Sequence, residues 1–275
     1  MDQPARIAVR GLTMRVGSDV VQRDLDFEVA AGQIFAVIGD GGSGRSLLLR
    51  HMAGLQRPAA GDVLYDGESL WGGSEADRER LKHRFGILFQ GAVLISEMTL
   101  LENVAVKLRL NTALSDREAD EVAALKLAIM GLRGYEQRYP SQVSEGIRIR
   151  AALARATSLD PDILFFDDPS ALLDPLNSRR VDDIILGLRD ATGATIVLVS
   201  HDLPSIFALA DDALFLDAEK KTMIARGRPA ELRDHCPDPR VRALESGEKT
   251  LVSTGPVVPG TRNTGATGVR GEVRD

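Results

Sequence analysis

Gly39-Asp40-Gly41-Gly42-Ser43-Gly44-Arg45-Ser46 is the stretch on which the reading of the fold turns. It follows the β-prone run Ile34-Phe35-Ala36-Val37-Ile38 and precedes Leu47-Leu48-Leu49-Arg50-His51-Met52, which reads as a helix. A strand that passes through glycines into a helix N-terminus points backbone N–H groups at a common spot, and the helix dipole favours negative charge there. The stretch therefore implies a phosphate ligand, and it fits two motifs at once. The pattern G-x-x-x-x-G-K-[ST] is met by Gly39, Gly44 and Ser46, with Arg45 in the place of lysine. The pattern G-x-G-x-x-G is met by Gly39, Gly41 and Gly44, with Asp66 on the next strand as a ribose ligand. A tight glycine turn without any ligand is the third reading. The stretch alone does not choose among them.

The whole chain narrows the setting. Its 275 residues, 44% hydrophobic and 27% charged, suffice for a sizeable core in one or two domains. A net charge of −6 argues against capture of nucleic acid as the main task. The single cysteine, Cys236, excludes an internal disulfide framework and fits a reducing cytosol. No apolar run approaches the roughly 18–20 residues that span a bilayer, and Met1-Asp2-Gln3-Pro4-Ala5-Arg6 starts no signal-peptide core. The expectation is a soluble cytoplasmic protein that can dock on a membrane partner.

Outward from the glycine stretch, residues 7–38 read as β-rich, and Gly61-Asp62-Val63-Leu64-Tyr65-Asp66-Gly67 as a short strand ending in a turn. Residues 75–84 read as a charged surface helix, and Phe85-Gly86-Ile87-Leu88-Phe89 as a strand that delivers Gln90. From Thr99 to Ala156 the texture is helical. Ser115-Asp116-Arg117-Glu118 is a capping box, and Val122, Leu125, Ile129 and Leu132 follow at helical spacing as an ordinary core face. Ile163-Leu164-Phe165-Phe166-Asp167-Asp168 and Thr195-Ile196-Val197-Leu198-Val199-Ser200 are continuous apolar runs of the kind buried in parallel sheets. Between them, Val181, Ile184, Ile185 and Leu188 form the apolar face of a helix that ends near Gly193. Alternating strands and helices predict an α/β fold with a mostly parallel sheet. Beyond Glu248 the composition turns to Thr, Gly, Val and Pro without period, which predicts a disordered tail over 248–275.

In open α/β sheets, ligands bind beyond the carboxyl ends of the strands. Here those ends carry the glycine stretch, Gln90, Asp167-Asp168 and His201. On one edge they would gather phosphate-binding N–H groups, a hydroxyl, an amide, two carboxylates and an imidazole. That set suits a magnesium nucleoside triphosphate. Ser46 and Asp167 are oxygen ligands for Mg²⁺, and Gln90 orients the attacking water or reaches the metal. Asp168 is the candidate general base and His201 a γ-phosphate sensor. A dehydrogenase needs none of these groups, and paired carboxylates would repel a pyrophosphate unless a metal intervened. Taken singly, each strand-end residue reads as a loop cap or surface hydrogen bonder; their joint occurrence favours the triphosphate.

In this order the motifs resemble those of ABC-transporter ATPase subunits, over residues 6–247. The P-loop is 39–46, the Q-loop Gln90, the signature segment Val143-Ser144-Glu145-Gly146-Ile147, the Walker B strand 163–168, the D-loop Ala171-Leu172-Leu173-Asp174 and the switch histidine His201. Within the family, Gly86 to Gln90, Glu97-Met98-Thr99-Leu100-Leu101-Glu102-Asn103-Val104 and Pro237-Asp238-Pro239-Arg240-Val241-Arg242 are similar to the ATPases of Mla-type (MCE-associated) phospholipid transporters. The resemblance implies a P-loop NTPase (RecA-like) core over 6–90 and 157–247, with an N-terminal antiparallel β subdomain and a helical subdomain inserted at 91–156. It implies ATP and Mg²⁺ as cofactors. Gly39, Asp40, Gly41, Gly42, Ser43, Gly44, Arg45, Ser46 and Leu47 would hold the nucleotide, and Ser144, Gly146 and Asp174 would contact it across a head-to-tail dimer. It further implies a permease docking near Gln90, an MCE-type lipid-binding protein as a further partner, and a place on the inner face of the membrane.

Four positions depart from the family pattern. Arg45 keeps the charge of the P-loop lysine but replaces a compact ammonium with a planar fork. Asp168 replaces the catalytic glutamate and reaches about 1.5 Å less far, where a misplacement near 1 Å costs about 100-fold. Glu145 replaces the first signature glycine and sets a carboxylate where γ-phosphate is expected, although it also complements its helix dipole. Met14-Arg15-Val16, the expected adenine platform, holds no aromatic ring. The expectation is a nucleotide subunit with slow hydrolysis, or a non-hydrolysing structural or regulatory subunit paired with a competent ATPase or permease.

Overall fold

The computed structural model describes residues 5–242; the expected tail at 248–275 lies outside the described residues. Two sheets form the frame. The first is antiparallel, in the order β2 (Asp19–Ala30), β1 (Ala5–Val16), β4 (Ala60–Tyr65) and β5 (Glu68–Ser69). The second runs β10 (Thr222–Gly227), β9 (Asp212–Asp217), β3 (Ile34–Gly39), β8 (Thr195–Val199), β7 (Ile163–Asp167) and β6 (Phe85–Leu88). All its pairings are parallel except β9 with β10.

The period of two along a strand divides the core among these layers. On β8, Val197 and Val199 turn toward β1, β2 and α1 (Arg45–Met52), among Ile7, Val9, Leu48 and Met52. Ile196 and Leu198 turn the other way, into the core shared with α3 (Leu100–Asn111), α4 (Asp116–Ile129), α5 (Glu145–Ala156) and α6 (Pro175–Thr192). Burial on both faces is why these strands read as unbroken apolar runs. A smaller third cluster joins Ala36, Ile38 and Phe215 to Ile206 of α7 (Leu203–Leu209), Leu232 of α8 (Pro229–His235) and Val241 of α9 (Pro239–Arg242). Cys236 is buried in that cluster and serves packing.

Helix ends follow their sequence signals. Capping boxes start α2 (Glu75–Lys82), α3 and α4 at Ser74, Thr99 and Ser115, and α6 stops at Gly193 with φ 67°. One expected face is only half right. Of Val122, Leu125, Ile129 and Leu132, Leu132 is buried and Val122 packs half-buried against the core, but Leu125 is 59% and Ile129 58% exposed. On α4 the inward positions are Ala119, Ala123 and Leu127, and the small alanines let the helix approach α3 and α5 closely.

Candidate nucleotide site at the strand ends

β3 ends at Gly39, whose φ of 151° and position leave no room for a side chain: a Cβ there would lie 2.3 Å from the Leu216 carbonyl oxygen on β9. The loop then turns tightly, with the Ser43 N–H donating to the Asp40 carbonyl at 3.1 Å. It enters α1 through Gly44 at φ 85°, where a Cβ would strike Val21 at 2.6 Å. Among the described residues no hydrogen bond takes up the N–H groups of Gly41, Gly42, Gly44, Arg45, Ser46 or Leu47. They form an anion cradle at a helix N-terminus. From beneath, the fully buried Gln22 of β2 donates its Nε2 to the Ser43 carbonyl at 2.8 Å and to the Asp217 carbonyl at 3.0 Å. Met14 is buried under Gly44, so of the expected adenine platform only Arg15 and Val16 face solvent.

The parallel sheet brings the other strand-end groups to the same edge. Asp167, last residue of β7, accepts a hydrogen bond from the Ser46 hydroxyl at 2.8 Å. Burial pushes its carboxyl above the ordinary range, and neighbouring Asp168 adds to this, against the pull of Ser46 and of the Arg50 and Arg45 charges. Asp168 sits at φ 53°, tied to β8 by its N–H donating to the Val199 carbonyl at 2.8 Å. One of its oxygens lies 2.6 Å from His201 Nδ1, and the other is buried without a partner. His201 itself is exposed. Gln90 begins a short 3-10 turn just beyond β6, on the same edge, with its side chain exposed. Arg45 makes no hydrogen bond or ion pair among the described residues; its charge is felt at nearby Asp167.

Three expected contacts stand apart from this cluster. Ser144 caps α5 without a side-chain hydrogen bond, Gly146 packs under Asn177 of α6, and Asp174 caps α6 by accepting from Leu176 N–H, Asn177 N–H and Asn177 Nδ2. No hydrogen bond joins any of them to residues 39–46. Glu145 does not stand alone at the helix start. Arg148, one turn on, grips its Oε2 through both Nε and Nη2, while Oε1 stays buried and unpaired. Sequence reading passed over Arg148 and Gln22. The first was signalled by its i,i+3 spacing from Glu145; the second carried no local signal, because its partners lie 21 and 195 residues away.

Beside Gln90 a groove of about 550 Å³ opens between β6, α3 and α5, lined by Phe89, Val93, Ile95, Val106 and Leu110. Lys107 and Arg155 lie in its wall, and burial pushes both below their usual basicity. A second cavity, about 440 Å³, lies between α4 and α6 near Asp160 and Pro161, at the opposite ends of the strands. No helix among the described residues is long and apolar enough to cross a membrane.

A parallel sheet with its anion loop, hydroxyl, paired carboxylates and histidine on one edge, an antiparallel sheet beside it and a helical layer define an ATPase cassette of the P-loop class. The ABC transporter family profile matches residues 22–171. The intermembrane phospholipid transport system ATP-binding protein MlaF of Escherichia coli K12 is 36% identical over 251 residues, which is 91% of this chain and 91% of that protein. The probable ribonucleotide transport ATP-binding protein mkl of Mycobacterium leprae is 32% identical, over 90% of this chain and 71% of that one. In fold, the chain matches the dimeric bacterial ABC transporter cassette MJ0796 (TM-score 0.74, 24% identity, 81% of this chain and 98% of that one). It also matches cbiO1 from Clostridium perfringens (TM-score 0.75, 22% identity, 83% and 90%). The chain belongs to the ABC transporter family, as an ATP-binding subunit.

Proposed function

We propose that this subunit hydrolyses ATP slowly to drive movement of phospholipid through a membrane permease. The observation that carries the reading is the row of groups on one sheet edge: the open N–H cradle, the Ser46–Asp167 hydrogen bond and the Asp168–His201 pair. The cradle of residues 39–47 binds the phosphates. Ser46 and Asp167 fit Mg²⁺, since both offer hard oxygen atoms within 2.8 Å of each other. Among the described residues no three His, Cys, Asp or Glu side chains gather into a metal cage, which suits an ion that takes its remaining ligands from phosphate and water. When bound, Mg²⁺ neutralises charge developing on the transferred phosphoryl group. Gln90 and Asp168 position the attacking water, and Asp168 accepts its proton through the oxygen that has no partner. His201 meets the γ-phosphate once it leaves Asp168.

Slow turnover follows from three features. The guanidinium of Arg45 is broader than an ammonium, Asp168 is short and already engaged by His201, and Glu145 with Arg148 occupies the start of α5. We further assign the groove beside Gln90 to a permease helix, and Ser144, Gly146 and Asp174 to contacts with nucleotide on a second, head-to-tail subunit. An MCE-type lipid-binding protein completes the assembly, with the α/β core (6–90 and 157–247) and helical subdomain (91–156) on the cytoplasmic face. Phospholipid as cargo is supported by the likeness to MlaF over nine-tenths of both chains.

The test is phosphate release by the subunit assembled with its permease in vesicles, scored together with exchange of a fluorescent phospholipid and of a labelled ribonucleotide. The expected result is measurable turnover that Asp167→Asn abolishes, with lipid moved. A near-zero rate rescued by Arg45→Lys plus Asp168→Glu would instead assign a non-hydrolysing regulatory subunit, the reading those same three features favour. Movement of the ribonucleotide alone would refute the lipid assignment.

A further inference from the structure

The segment Pro237 to Arg242 closes on the phosphate loop from outside the strand-end cluster. Val241 is completely buried in the third core cluster and anchors α9 there. Asp238 then shapes Arg240: its Oδ1 accepts from Arg240 N–H at 2.9 Å and Nε at 3.2 Å, and its Oδ2 from Nη2 at 3.0 Å. So fixed, the guanidinium meets two further carboxylates. Nη2 donates to the fully buried Asp217 at the end of β9, at 2.5 Å, and Nη1 lies 3.6 Å from Asp40 Oδ2.

Asp40 is the one acidic residue in the stretch 39–46. It immediately precedes the open N–H groups of Gly41 and Gly42, so its carboxylate lies within roughly one Debye length of any phosphate they hold. An uncompensated carboxylate there opposes a polyphosphate. Arg240 brings a positive charge to Asp40, shared with Asp217 and Asp238, and its geometry is set by Asp238 and by the buried Val241.

We propose that Arg240 is a positioning residue for the nucleotide. By pairing with Asp40, as it does with Asp217 and Asp238, it offsets part of the negative charge beside the phosphate loop and ties the loop to α9, so that the loop accepts a polyphosphate. This rests on the assignment of the loop as an ATP site. The inference is tested by titrating the full chain with ATP and with ADP, in the wild type, Arg240→Gln, Asp40→Asn and the double variant. Arg240→Gln is expected to weaken ATP about 10-fold and ADP less, because the repulsion scales with ligand charge. Asp40→Asn in the Arg240→Gln background is expected to restore ATP affinity to within about 2-fold of wild type. A merely structural role for Arg240, at Asp217, predicts weakening that Asp40→Asn does not rescue, and that result overturns the proposal. So does unchanged affinity in Arg240→Gln. Should Arg240→Gln fail to fold, Asp40→Asn alone decides: it removes one of the three carboxylates around Arg240, and with it a charge that opposes the polyphosphate, and tightens ATP about 3-fold; unchanged or weaker binding overturns the proposal. Wild-type protein that binds no ATP refutes the site assignment itself, and this inference with it.

Discussion

Gln22→Met is the sharpest probe of how the phosphate loop is held. Gln22 is completely buried, and its Nε2 serves two carbonyls at once, Ser43 of the loop and Asp217 at the end of β9. Methionine nearly matches its volume, so the substitution removes the hydrogen bonds without opening a cavity. Each stranded buried carbonyl costs about 1–3 kcal/mol. Part of this is returned, because Gln22 Oε1 is itself buried without a partner, and removing it relieves about 1–2 kcal/mol. The balance is a loss of roughly 2 kcal/mol, which for a chain of this size corresponds to about 4–8 °C in Tm. The loss falls on the loop, so thermal melts should be run with and without ATP, and the variant should gain less from ATP than the wild type. A melting temperature within about 1 °C of wild type, with the same ATP-induced gain, would refute the view that Gln22 supports the loop.

Asp182→Asn should stabilise the protein in a pH-dependent way. Burial, with the nearby Asp202 and Asp183 charges, raises the Asp182 carboxyl to about 6, against the hydrogen bond from Ser205. A raised folded-state value means the native form binds the proton more tightly, so wild-type stability falls as pH rises from about 4 to 6 and stays lower above that. The variant should therefore melt several degrees higher at pH 8 and converge with wild type near pH 4; parallel curves would sink the idea. The corrected face of α4 makes a separate pair: Leu127→Ala should cost about 2–5 kcal/mol in urea titration, whereas Leu125→Lys should stay within about 0.5 kcal/mol.

What could be read before the coordinates, and what could not, divides by the range of the interaction. The strands β3, β7 and β8 were legible because burial on both faces leaves an unbroken apolar run, closed by the glycine stretch after β3, by Asp167-Asp168 at β7 and by Ser200-His201 after β8. The capping box at Ser115 was legible because both its partners lie within four residues. The α4 face was misread because alanines register weakly as apolar, while close helix approach selects for their small size. Gln22 and Arg240 were invisible as members of the loop's support, since their partners arrive from β9 and from the P-loop through tertiary packing alone. The resemblance located the P-loop, but not what holds this one in place.

That distinction bears on the odd residues of the site. Arg45, Asp168 and Glu145 depart from the family pattern at positions assigned above to the phosphates; Asp168 lies 2.6 Å from His201 and Glu145 is gripped by Arg148, whereas Arg45 has no hydrogen bond or ion pair among the described residues. Random decay of a nucleotide site would leave stranded charges at its centre, which are expensive where they are partly buried. Here two of the three replacements, Asp168 and Glu145, are partnered within the chain, and the loop's own acid, Asp40, is paired from α9. On the function proposed above, a site that keeps its cradle and its Ser46–Asp167 contact while shortening its base would hold a nucleotide longer than it takes an ordinary cassette to split one. Its rate would then be set by what frees Asp168 from His201, a step that nucleotide-driven closure of two subunits around the γ-phosphate can supply.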